Sequence, residues 1–430
     1  MKVLIIAAGC DDAAVGEVWS SFQWVSRLAR QHDVTLITSR YSRRPPTSLQ
    51  LPEARVIEWQ DPSLFERWQR FNAMLKPGYV SFYWRARRWI KASLHAGERF
   101  DIVHQISPLA LRYPSPAAGC NVPLVIGPLG GSLEDPEGFR AELDRAPWYT
   151  QLRLIDRWRL RHDSLLRNSY ASADCLICVA PYVKELLGDL ATKRIEFMSE
   201  TGVVELPPAK MFSLARPLRL LFVGRVIRTK GVRDAIRALA QLKDQHDFSF
   251  DVVGDGDDLV HCKREAAELG VNGVVTFHGR LSRKDVDRFY AKADVFVFPS
   301  YREPSGNVVL EAMSYGLAMI VADRGGPGFV VDGECGFRVP VTEPRQYATA
   351  IANCVRDLIR NPELIASFGK AARNKVRQQF LWNAKVVQLS QLYYDLVAKG
   401  FSSEIEHPQD ARLVHAGTVP SARVRVPFRL

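Results

Sequence analysis

What most constrains this chain is an alternation that runs almost its whole length: short apolar runs of strand length, separated by amphipathic stretches of helical period. Runs this short and continuous suit strands covered by helices on both faces. The pattern therefore predicts βαβ units around parallel sheets, an α/β protein. In the first half the strand candidates are KVLIIAA, DVTLITS, DIVHQI, PLVIGP, CLICVA and RIEFMS. In the second half they are LRLLFVG, FSFDVVG, VVTFHG, DVFVFP and AMIVAD, with helices starting near 231, 257 and 282 and another opening in EPSGNVVLEAM. Between the halves, LPPAKMFSLARP at 206–217 carries prolines and no period. That break predicts an N-terminal Rossmann-like domain over 1–205, a linker over 206–217 and a second Rossmann-like domain over 218–380. A length of 430 residues suits two such cores. Residues 401–430, rich in Pro, Ser and Arg without periodicity, read as a loosely held tail.

The opening MKVLIIAAGCDD is too short an apolar run for a signal peptide and is followed by two aspartates, so it reads as a first buried strand. Nothing approaches the ~18–20 apolar residues that span a bilayer, which predicts a soluble or peripheral protein. Seven scattered cysteines predict a reducing, cytoplasmic setting. The Cys175/Cys178 pair lies in an apolar strand without a second ligand pair, so it reads as core. A formal net charge of +11 points to an anionic partner. Zinc-finger spacing and RNP-like aromatics are missing, so nucleic acid is not expected.

In an open parallel sheet, ligands bind beyond the carboxyl ends of strands. FVGRVIRTKG places Gly224 and Arg225 just after a strand and Lys230 just before a helix. The two cations suit one diphosphate, a planar fork beside a point charge. EPSGNVVLEAM follows another strand, and its Pro-Ser-Gly-Asn turn leaves backbone N–H groups of Ser305, Gly306, Asn307 and Val308 at a helix N-terminus, a phosphate cradle. Glu303 stands in that turn and Glu311 early in the helix, two acids suited to sugar and ribose hydroxyls. Asp255 and Asp257 in GDGDD spell a DxD that would suit a divalent metal, but the same residues make a turn and a helix N-cap. With Arg225 and Lys230 at hand, no metal and no cofactor is expected.

FVGRVIRTKG, VVGDGDD, EPSGNVVLEAMSYGL and GGPGFVVDGECGFRVP, in that order, resemble the donor-binding half of family four glycosyltransferases, a retaining group with the GT-B fold. FDIVHQIS, GPLGG and ASADCLICVA resemble the other half more loosely. The resemblance implies two Rossmann-like domains facing across a cleft, with a C-terminal helix at 381–400 packing back on the first. It assigns Arg225 and Lys230 to the diphosphate, Glu311 to the ribose, Glu303 to the transferred sugar and the Gly306, Asn307 and Val308 amides to phosphate. Gly16 resembles the glycine that approaches the diphosphate from across the cleft, and Gly130 and Gly131 a loop on the acceptor side. His104 is a further acceptor-side candidate. Two departures stand out: Val15-Gly16 replaces a double glycine, and His104 is followed by Gln105-Ile106 where relatives carry His-x-His. The implied reaction moves a hexosyl group from a nucleotide-diphosphate sugar to a glycan or lipid-linked acceptor, with retention and without metal.

Over 66–99, Lys and Arg interleave with Trp, Phe and Tyr. This suits either an anionic inner-membrane surface or a pair of ordinary helices with buried aromatics. Two other functions share the expected fold: a nucleotide-sugar epimerase, and a non-catalytic partner subunit that binds glycan or nucleotide.

Overall fold

The computed structural model describes residues 1–40, 44–60, 76–143, 153–209, 217–243 and 248–405. It contains two parallel sheets. The first has seven strands in the order β3-β2-β1-β4-β5-β6-β7. These are β1 Lys2–Ala7, β2 Asp33–Arg40, β3 Arg55–Gln60, β4 Ile102–Ser107, β5 Leu124–Leu129, β6 Cys175–Cys178 and β7 Ile195–Phe197. The second has six in the order β10-β9-β8-β11-β12-β13: β8 Leu218–Val223, β9 Phe248–Val253, β10 Val275–Gly279, β11 Val295–Phe298, β12 Ala318–Ala322 and β13 Gly336–Val339. Each sheet reverses its winding once, between β1 and β4 and between β8 and β11, and such a reversal opens a crevice at the strands' carboxyl ends.

The expected α/β class with two Rossmann-like sheets is what the chain adopts. Central strands are buried along their length: every residue of β4 and β5 is inaccessible, with apolar clusters on both faces of the sheet. The expectation missed β3 and β13. Both lie at sheet edges. In β3 the residues are only partly covered, so its apolar positions are interrupted by Arg55 and Glu58 and the run loses its signature. The Pro-rich stretch 206–217 lies mostly outside the described residues. The same holds for 61–75 of the basic-aromatic stretch and for 406–430. The final helix, Trp382–Ile405, runs past the point where the sequence reads as tail.

That helix lies against the first domain. Val386, Leu389, Tyr393 and Leu396 share a core cluster with Val3, Ile5, Trp24 and Leu28. Trp382 meets Trp24 edge-on at 5.1 Å, a geometry worth about 0.5–1.5 kcal/mol beyond area burial. The two chain crossings between domains run side by side: Val203 N donates to Phe380 O at 2.8 Å and Trp382 N to Val203 O at 3.0 Å.

A second link is a segment that leaves the first domain after β5. Phe139, within the short helical turn Glu137–Glu142, is fully buried in the second domain's core, 4.4 Å from the Tyr301 ring. Glu142 accepts from Arg228 Nε at 3.0 Å and Arg237 Nη1 at 2.9 Å, and Arg302 pairs with Asp135 at 2.7 Å.

Candidate active site

The crevices meet in a cleft of about 530 Å³ lined from both domains. The second domain supplies its walls at strand ends. Beyond β8, Gly224 leads into Arg225, which is exposed and has no ion-pair partner among the described residues. Val226 N donates to Asp255 O at 2.9 Å, which ties this loop to the one after β9. A Cβ on Gly254 would stand 1.8 Å from Gly224 O, so the GDG glycines allow two loops to cross closely. Asp255 and Asp257 serve that turn; among the described residues no group of three His, Cys, Asp or Glu is arranged to hold a metal ion.

Arg228, between the two predicted cations, turns inward instead. It makes a bidentate pair with buried Asp234, at 2.6 and 2.9 Å. The tight turn Arg228–Lys230 therefore points Lys230 the other way, to contact Glu303, with Nζ 5.5 Å from the Phe298 ring centre. Lys230 and Glu303, far apart in sequence, form one ion pair in the cleft wall.

Glu303 Oε1 also accepts from Gly306 N at 3.2 Å, closing the turn that opens the helix Asn307–Ser314. Gly306 has φ of 82°, a left-handed conformation that favours glycine, and no side chain caps the helix. Asn307 and Val308 line the cleft at the uncapped end. Glu311 faces an adjoining cavity of about 360 Å³ that shares Asn307 and is also lined by Trp19, Arg283 and Tyr315. Two donors orient Glu311: Arg283 Nη1 at 2.5 Å and the buried Tyr290 hydroxyl at 3.1 Å.

The first domain's candidates separate. Gly131 lines the cleft, its N donating to Tyr182 OH at 3.1 Å. Gly130 lies behind it, bonded to Leu109 O at 2.8 Å. Gly16 is exposed at the start of the helix Glu17–Leu28, with open space where a Cβ would stand, and it is not among the cleft's lining residues. His104 requires a correction. It is buried inside the domain, with Nδ1 bonded to Tyr393 OH at 2.5 Å and Nε2 to Gly127 O at 2.7 Å, and burial pushes its pKa down to about 4. Both ring nitrogens are occupied by the core, so this histidine does not reach the cleft.

Sequence reasoning missed several cleft residues. Arg302 enters from the β11 loop and Arg112 from the segment after β4, the latter paired with Asp156 at 2.7 Å. Glu200 follows β7, and burial raises its pKa to about 7. Strand-end position was the available signal, but it marks many residues that do not reach a cleft. Beyond Ser132 and Leu133 the cleft adjoins another cavity of about 600 Å³, again lined from both domains, with Arg157, Tyr182, Arg324 and Arg338 in its walls.

Two opposed Rossmann-like domains with a cationic, uncapped-helix cleft between them define the GT-B class. Family models agree: "Glycosyl transferases group 1" matches residues 210–375 and "Glycosyl transferase 4-like domain" matches 18–197. Together they span most of the chain, and the chain belongs to the GT-B glycosyltransferases. A lipopolysaccharide core biosynthesis glycosyltransferase, LpsE of Rhizobium meliloti, is 34% identical over 194 residues, 44% of this chain and 56% of that protein. A glycogen synthase of Mycobacterium tuberculosis is 27% identical over 245 residues, 56% of this chain and 57% of that protein. The chain thus spans a little over half the length of these relatives. Among solved structures, sucrose-phosphate synthase from Thermosynechococcus elongatus shares the fold with a TM-score of 0.61 at 22% identity, covering 93% of this chain and 99% of that one. Anabaena Alr3699/HepE in complex with UDP gives 0.59 at 19% identity, covering 94% and 100%.

Proposed function

We propose that this protein is a retaining hexosyltransferase that uses a nucleotide-diphosphate sugar and glycosylates a glycan or lipid-linked hydroxyl in cell-surface polysaccharide or glycolipid synthesis. One observation carries the reading: Arg225, the Lys230–Glu303 pair and the uncapped Asn307–Ser314 helix end share one cleft closed by the other domain. The diphosphate lies between Arg225, Lys230 and the Asn307 and Val308 amides. The nucleoside extends into the adjoining cavity, where Glu311 accepts from ribose hydroxyls. The sugar faces Glu303, and the acceptor enters past Gly131 and Ser132. As the glycosidic bond breaks, charge builds on the β-phosphate, and prepositioned cations stabilise that charge more than the ground state. No protein base is assigned; the departing phosphate takes the acceptor proton. These cations do the work of a metal ion.

The test is incubation with a panel of UDP-, GDP- and ADP-sugars with and without lipid-linked acceptor, with and without EDTA. Expected are acceptor-dependent release of nucleoside diphosphate, a product whose anomeric configuration by NMR matches the donor, and no effect of chelation. Interconversion of the sugar with donor alone would replace this reading by an epimerase. No turnover and no stabilisation by any donor would refute it.

We further propose that the protein docks on the cytoplasmic face of an anionic membrane. Along the helix Tyr79–His95, Tyr79, Phe82, Tyr83, Ala86 and Ile90 are buried, so part of the aromatic content is ordinary core. Val80 and Trp84, however, are 66% and 59% exposed beside exposed Arg85, Arg88 and Lys91. That combination suits a headgroup layer. Among the described residues no helix is long and apolar enough to cross a membrane. Flotation with phosphatidylglycerol vesicles should be lost in a Trp84→Ser/Arg88→Glu/Lys91→Glu variant; equal flotation refutes docking.

A further inference from the structure

The segment Ser199–Gly202, where the chain leaves the first domain, is held on several sides. Trp24 Nε1 donates to Glu200 O at 3.3 Å, and the buried Lys385 ammonium donates to Ser199 O at 2.5 Å while standing 4.9 Å from the Trp24 ring centre. A Cβ on Gly202 would stand 2.9 Å from Phe380 O, so this backbone has little freedom. From this fixed base the Glu200 side chain reaches the cleft wall that Ser305, the residue before the Gly306 turn, also lines. It lines the same cleft as Arg225, Lys230, Asn307 and Val308.

The charges facing Glu200 come from every neighbouring element. Glu17 on the first helix is paired with Lys76 at 2.7 Å, and Glu303 from the β11 loop is paired with Lys230. Lys385 on the last helix is engaged with Ser199 O, and Tyr182 stands nearby. Arg112, Arg225 and Arg302 line the remaining walls. Burial, with Glu17 and Glu303 adding to it and Ser305 and Lys385 opposing it, lifts the carboxyl to about 7, and burial brings Lys385 down to about 7 against the pull of Glu200.

We propose that Glu200 contacts the donor as a neutral carboxylic acid, giving its O–H to a phosphoryl oxygen of the nucleotide sugar, so that donor and one proton bind together. This rests on the reading of the cleft as a nucleotide-sugar site. A neutral carboxylic acid can make this contact because its O–H donates while its carbonyl oxygen only accepts. An ionised Glu200 beside the cradle would repel the same phosphate. No bond of the nucleotide sugar is made or broken in this step; one proton from solvent adds to Glu200 Oε and forms the O–H that donates.

The test is calorimetric binding of the nucleotide sugar selected from the panel, between pH 5.5 and 8.5, in two buffers of different ionisation enthalpy. A sugar diphosphate is used because its phosphates do not titrate in this range, unlike those of free nucleoside diphosphate. Wild type should lose affinity about tenfold per pH unit above neutrality and take up close to one proton at pH 8. Glu200→Gln should bind with no such slope and no net uptake. Binding of wild type without proton uptake overturns the assignment while leaving the donor site standing. So does uptake that persists in Glu200→Gln, which would place the proton on Lys385. If Glu200→Gln fails to fold, wild-type uptake together with its loss in Glu200→Ser decides. Absence of any nucleotide-sugar binding overturns both readings at once.

Discussion

Lys230 has two jobs in the structure, and Lys230→Met separates them. Its ammonium neutralises Glu303, and in the proposed reaction it also neutralises the leaving phosphate. Methionine keeps the stem against Phe298 while deleting the charge. For the first job, Glu303 retains the Gly306 N–H at 3.2 Å but loses its cation. A charged hydrogen bond of this kind is worth about 1.5–3 kcal/mol, and because the carboxylate retains some exposure the lower end applies, a melting decrease on the order of 3–6 °C. For the second job, losing a preorganised charge at the developing anion costs about 3–4 kcal/mol of barrier, a fall of 10²–10³ in kcat. The assay is steady-state transfer alongside a thermal melt, in Lys230→Met and in Lys230→Met/Glu303→Gln. The double variant should recover most of the melting temperature, because the unpaired carboxylate is gone, and should recover none of the rate. Restored kcat in the double variant would show that Lys230 only holds Glu303 and would refute the leaving-group role. So would a single variant within about threefold of wild type, less than 1 kcal/mol of barrier.

Other consequences are independent of that one. Phe139→Ala removes a fully buried ring that the first domain's excursion inserts into the second domain's core, and urea denaturation should report about 3–5 kcal/mol of lost stability. Glu311→Gln keeps an acceptor but loses the charge that Arg283 and Tyr290 orient; donor KM should rise about tenfold with kcat little changed, the pattern of an interaction equal in ground and transition states. His104 gives acid sensitivity of a defined sign. Burial holds its pKa at about 4, below the ~6.5 of an unfolded chain, so between these values the unfolded state binds the extra proton. Stability is complete above about pH 6.5 and declines toward pH 4 by about 3 kcal/mol from this group; His104→Gln should remove that increment from the pH dependence of urea midpoints.

The difference between what was legible in the sequence and what was not follows interaction range. The second domain's cleft cluster could be read because it is local. Arg225 and Lys230 share one loop, and the Gly306 turn, the helix start and Glu311 lie within nine residues of Glu303. The inner strands were legible for the same reason, since burial on both faces writes an unbroken apolar run. Edge strands β3 and β13, half covered, write no such run. His104 belongs to the same failure from the other side: strand β4 shows a polar residue, and only Tyr393, 289 residues later, reveals that the core satisfies it.

The first domain's wall of the cleft was hidden for a physical reason. What the first domain brings to the cleft depends on contacts between segments remote in sequence: Asp135 on Arg302, the Glu134 carbonyl on Arg324 and Phe139 beneath Tyr301. No spacing rule ties these partners, because the excursion carrying 134–142 is a polar loop by composition and takes its conformation from the domain it docks on. In the proposed reaction, a cleft wall made in this way would set acceptor preference by interdomain pairing, while the nucleotide-sugar side is set by one sheet's strand ends. Substitutions in 132–143 should therefore alter which acceptor is used before they alter which nucleotide sugar binds.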